Sequence, residues 1–93
     1  MLEQGMILEV TDIGGTKELA VVTKVLENSH CINVVVLFED GNASTYSGLV
    51  EKKEEVCENI LTELRATVMK KSNSLFDAVT TLFSTSANVL KEV

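Results

Sequence analysis

The stretch Cys31-Ile32-Asn33-Val34-Val35-Val36-Leu37-Phe38, followed by Glu39-Asp40-Gly41-Asn42, decides the fold. Side chains alternate across a β-strand, and apart from Asn33 this run is apolar at both odd and even positions. A β-branched run without a wet face reads as a central strand. Asp40-Gly41-Asn42 is the strongest turn signal in the chain, and Ala43 to Ser47 returns from it as the next strand.

Working backwards, Glu27-Asn28-Ser29-His30 has turn composition. Before it, Glu18 to Leu26 alternates, with Leu19, Val21, Thr23 and Val25 on one face and Ala20, Val22, Lys24 and Leu26 on the other. Asp12-Ile13-Gly14-Gly15 provides the positive φ angles of a tight reversal. Met6 to Thr11 precedes it as a first strand with Met6, Leu8 and Val10 on one face. Four or five short antiparallel strands joined by tight turns within residues 1–50 predict a small, strongly bent sheet. Closure into a barrel would protect its edges.

Working forwards, the period changes at Glu51. Val56, Cys57, Ile60, Leu61, Leu64, Val68 and Met69 fall three and four apart, which predicts one helix over residues 51–71. Glu51, Glu54 and Glu55 crowd its start and Lys70 and Lys71 close it, as the helix dipole favours. Ser72-Asn73-Ser74 interrupts, and Ser74 with Asp77 three residues on makes an N-cap for a second helix over residues 74–91. There Leu75, Phe76, Val79, Leu82, Phe83, Ala87, Val89, Leu90 and Val93 form a broad apolar arc opposite Thr80, Thr81, Ser84, Thr85 and Asn88. These hydroxyl and amide residues are mediocre helix formers, so this helix depends on packing. Either the two helices fold together as a hairpin, or the second packs on another chain. The expected class is thus α+β, a single domain over residues 1–93 with a bent β-barrel followed by two helices.

The chain has 93 residues, 45% hydrophobic and 24% charged, with no proline, a globular composition. Its longest apolar run, Val34 to Phe38, is far short of the ~20 residues that a membrane span needs, and residues 1–4 lack the features of a signal peptide. Net charge is −6, and residues 1–50 hold seven acids (Glu3, Glu9, Asp12, Glu18, Glu27, Glu39, Asp40) against Lys17 and Lys24. Such a half repels a phosphate backbone and suits a protein partner with a basic surface. On a continuous helix over 51–71, Lys53 and Lys71 share a face with Lys52 and Lys70 about 100° behind, although Glu54, Glu55 and Glu58 dilute the cluster. Direct nucleic-acid binding is disfavoured. Cys31 and Cys57 read as small buried hydrophobes, and two cysteines suit a reduced, cytoplasmic setting better than a disulfide scaffold.

Motifs for chemistry are missing. His30, the only histidine, stands in a turn, and adjacency in sequence does not give it a productive geometry with Cys31. No Cys-x-x-Cys pair points to zinc. Gly14-Gly15-Thr16-Lys17 lacks the phosphate-loop spacing and precedes a strand, not a helix. Glu39 and Asp40 are neighbours that point to opposite faces. No catalytic residue, cofactor or metal ligand is expected.

Leu19-Ala20-Val21-Val22-Thr23-Lys24-Val25, with Val34-Val35-Val36-Leu37-Phe38-Glu39-Asp40-Gly41-Asn42, resembles the second to fourth strands of Tudor-like and other SH3-like barrels. The resemblance covers Leu19 to Leu49. It implies a five-stranded barrel that binds peptides or packs as an assembly module. The methyl-lysine or methyl-arginine chemistry of Tudor domains does not carry over, because a cation cage needs several rings. This region holds only Phe38, a core candidate, and Tyr46, an exposed barrel contact at best.

These observations give a non-catalytic protein–protein interaction module as the expected function, a small intracellular adaptor or regulator of the size of a viral or phage accessory protein. The partner surface is expected along Leu75, Phe76, Val79, Leu82, Phe83 and Leu90. The alternative is a homo-oligomeric assembly component that bundles through the same helix.

Overall fold

The computed structural model describes residues 1–92, with side chains for residues 1–84. The chain is α+β: β1 (Met6–Thr11), β2 (Lys17–Glu27), β3 (Cys31–Phe38), β4 (Ala43–Leu49), a 3-10 turn at Val50–Lys52, α1 (Lys53–Glu63), β5 (Thr67–Lys71) and α2 (Leu75–Glu92). The strands form one antiparallel open sheet in the order β4-β3-β2-β1-β5.

The turns follow local chemistry. Asp12 Oδ1 accepts the Thr16 N–H at 2.8 Å while Gly15 takes φ +84°. Asn28 Oδ1 accepts both His30 N–H and Cys31 N–H at 2.7 Å. At the third turn Gly41 takes φ +89° and Asp40 Oδ1 accepts the Asn42 N–H at 2.9 Å. Each short polar side chain adds to the backbone bonds of its reversal, among them Gly15 N–H to Asp12 O, Asn28 N–H to Cys31 O and Gly41 N–H to Phe38 O.

Each face of the sheet packs against one helix. On one face Leu8, Val10, Ala20, Val22, Ile32, Val34 and Val36 pack with Leu2 and with Cys57 and Ile60 of α1. On the other, Ile7 and Val21 pack with Ala78 and Leu82 of α2, flanked by Leu19, Leu37, Leu75 and Val79. A helical hairpin is therefore not formed. The predicted faces of β2 hold only as far as Val22. The β2–β3 register shifts between Val22 and Lys24, and this bulge at Thr23 reverses the alternation. Val25 thus joins Ala20 and Val22 at the α1-side core.

The predicted helix over 51–71 is a 3-10 turn, a shorter helix and a strand. α1 stops at Glu63, Leu64 caps it, and Arg65 takes a left-handed φ of +50°. Ala66 N–H donates to Leu61 O at 2.8 Å and Arg65 N–H to Thr62 O at 3.2 Å, the paired bonds of a Schellman ending. Leu61 and Ala66, the positions whose apolar contact commonly accompanies this motif, both pack against the α1-side core. Thr67 to Lys71 then runs antiparallel to β1. The spacing of Val68 and Met69 fitted a helix by arithmetic alone; β-branched Thr67 and Val68 after a left-handed residue favour a strand.

Candidate interaction surfaces

α2 begins where the sequence places it. The Ser74 hydroxyl accepts the Asp77 N–H at 3.1 Å, satisfying one free donor of the first turn. Beyond the cap, the broad apolar arc divides. Leu75, Ala78, Val79 and Leu82 lie against the sheet, so Leu75, Val79 and Leu82, expected to face a partner, serve the chain's own core. Phe76 and Phe83 do not follow them. Phe76 is 78% exposed and Phe83 43%. They stand two turns apart on one flank, about 100° from the buried stripe. Leu90, like Ala87, Val89 and Val93, lies outside the described side chains.

Tyr46 is half-buried against the α1-side core, not an exposed ring. Burial pushes its phenol above the ordinary value; nearby Glu63 adds to the rise and a hydrogen bond from Ser44 opposes it. Phe38 lies at the rim of the same core.

At the end of the sheet that carries the β1–β2 turn, a cleft of about 360 Å³ opens beside α1's C-terminus. Phe38 and Leu64 give it an apolar lining and Asp12, Glu18 and Glu63 a carboxylate rim, with Arg65 as its cation. Glu18 is held above the usual carboxylate range, first by burial and then by repulsion from Glu39, Asp40 and Asp12. Negative charge is concentrated where the sequence puts the acidic half.

The remaining candidates have structural duties. Cys31 is exposed, correcting the expectation of burial, whereas Cys57 is buried. The Cys57 thiol lies 3.8 Å from Met1 Sδ. His30 and Cys31 share the Asn28 turn through their backbones. Glu39 Oε1 accepts the Leu19 N–H at 2.8 Å, and both Asp40 oxygens are taken by Asn42. The lysine cluster disperses once residues 67–71 form a strand: Lys53 pairs with Glu27 at 3.2 Å and Lys71 with Glu3 at 3.3 Å. Among the described residues no group of three His, Cys, Asp or Glu could hold a metal ion. Among them, too, no helix is long and apolar enough to cross a membrane.

Sequence reasoning missed Leu26 and Leu49, which are 54% and 51% exposed on the α2 side of the sheet. Their signal lay in the register: Leu26 pairs with Asn33 and Leu49 with Cys31, and neither belongs to the cluster that the described residues of α2 form with the sheet. Compared with protein-family models, curated proteins and solved structures, the chain matches none.

Proposed function

We propose that this chain is a non-catalytic protein–protein interaction module, an adaptor or regulator built on an SH3-like barrel and working in a reducing, intracellular compartment. The strand order, a four-stranded meander with β5 returning to β1, supports the SH3-like assignment, as do the sheet's bulges, with the sheet left open between β4 and β5. Two free cysteines support the compartment.

The observation that carries the functional reading is the division of α2. One flank already secures the helix on the sheet, yet Phe76 and Phe83 remain in water on the next flank. Burying a phenylalanine fully is worth about 1.5–3 kcal/mol, so a partner that covers both rings gains energy the isolated chain leaves unused. Aromatic anchors are the residues most enriched at interface centres.

The test is capture by the immobilised full chain from an extract of its producing cell. A protein retained by the wild type should be lost on Phe76→Asp, with the melting curve unchanged because that ring is outside the core. Identical capture by a folded Phe76→Asp chain refutes the assignment of α2 as the docking element.

A further inference from the structure

The phenylalanine flank of α2 and the uncovered part of the sheet beside it form one continuous surface, and we infer that its occupant is a second copy of this chain, in a two-fold dimer. The inference rests on the module reading and names the partner.

Cross-strand partners share a face, so the α2 side of the sheet can be read by rows. Lys24, Val35 and Thr45 form one row, Leu26, Asn33 and Ser47 the next, and Cys31 with Leu49 the last. Among the described residues, α2 packs on Ile7, Val21, Leu19 and Leu37 of this face. It starts beside the first residues of β1, where Ser72 N–H donates to Gly5 O at 3.0 Å, and crosses β2 toward Leu37. In a right-handed helix on that course, residues 100° ahead of the buried stripe turn toward β3 and the open rows, away from β5. Phe76 and Phe83 are those residues. They form a ridge, and the rows of Leu26 and Leu49 form a floor beside it.

Three features favour a second copy. Ridge and floor are on the same molecule and the same side, so a two-fold axis seats each ridge on the other's floor, the self-complementary contact of a C2 dimer. The area fits: Phe76, Phe83, Leu26 and Leu49 leave roughly 400 Å² of bare apolar surface. The exposed Cys31, Thr45, Ser47, Thr80 and Ser84 bring the face toward the about 800 Å² a side of a stable complex. Finally, the surface is nearly free of charge. The chain carries −6, so two copies repel wherever their acidic parts meet, and these rows hold no carboxylate and one cation, Lys24. The Ser47 hydroxyl donates to Asn33 Oδ1, satisfying within the chain two polar groups that contact would otherwise strand.

Sedimentation equilibrium from about 5 to about 500 µM tests this, with the expected dissociation constant in the micromolar range. Phe76→Asp on the ridge and Leu26→Lys on the floor should each weaken association more than about 30-fold; both residues are more than half exposed, and circular dichroism verifies their folding. Mixing the two variants should restore a dimer, because the Asp ridge meets the Lys floor while the other ridge and floor are native. A wild type monomeric throughout, or variants that do not associate when mixed, overturns the dimer. The module reading fails separately, on partner capture that Phe76→Asp leaves intact.

Discussion

Replacing Arg65 with glycine should stabilise this protein, although Arg65 lies outside both core clusters. The residue ends α1 with φ +50°, and the two hydrogen bonds from residues 65 and 66 hold it there. A β-carbon in the left-handed region costs roughly 1–2 kcal/mol. Glycine removes that cost but frees the unfolded chain, which returns about 0.4–1 kcal/mol. The net expectation for Arg65→Gly is a gain of about 0.5–1 kcal/mol, a rise in Tm of about 2–8 °C for a domain of this size.

Arg65 is also the cation of the carboxylate-rimmed cleft, so removing its charge has an effect of its own. Arg65→Ala isolates that effect, because alanine keeps the β-carbon and the backbone cost. Urea titrations of the three proteins, followed by far-UV circular dichroism, should place Arg65→Gly above both others. If Arg65→Ala stabilises as much as Arg65→Gly, the gain comes from charge and the strain argument is wrong. If Arg65→Gly is less stable than the wild type, the ending of α1 is not strained by its side chain.

Gly48→Ala should destabilise by about 1–3 kcal/mol, because a β-carbon at Gly48 would overlap Val56 Cγ2 on α1; Val56→Ala should recover part of the loss in a double-mutant cycle. Glu18→Gln should stabilise at neutral pH and lose its advantage as pH falls to about 4. A carboxyl held high by burial and by Glu39, Asp40 and Asp12 penalises folding only while ionised, so a gain independent of pH would refute that origin. Tyr46 is the only tyrosine, in a chain without tryptophan, so ultraviolet absorbance reports its ionisation alone. Its midpoint should lie above about 10 and return to the ordinary value in denaturant, with stability lost as pH rises through the titration.

How much of this was legible in the sequence depends on how local each signal was. β1 and β3 are legible to the residue, because turns closed by short side chains end β1 at Asp12 and bound β3 at Asn28 and Asp40. The cap at Ser74 is equally local. What failed was decided by contacts distant in sequence. Val68 and Met69 continue a helical spacing, and the pairing of residues 67, 68, 70 and 71 with β1 places them in a strand. The bulge at Thr23 arises between two strands, so alternation within β2 could not foretell Val25's change of face. Cys31 resembles a core residue by type, but its register opposite Leu49 places it at the exposed end of β3. On α2 the apolar arc was legible and its division was not, since the sheet meets only Leu75, Ala78, Val79 and Leu82 of the arc's described residues.

That division separates the fold from the surface that would do the work. The α1-side cluster and the α2-side cluster contain neither Phe76 nor Phe83, and neither Leu26 nor Leu49. A helix that existed only to cover Ile7 and Val21 would need Leu75, Ala78, Val79 and Leu82, and serine, lysine or glutamate would serve better on its wet flank. Two phenylalanines there raise the cost of solvating the monomer without strengthening its core. A partner that covered the flank would recover that cost. The same independence makes the surface open to experiment: a charge at Phe76 or Leu26 changes what the protein can bind while both clusters, and so the fold, stay intact.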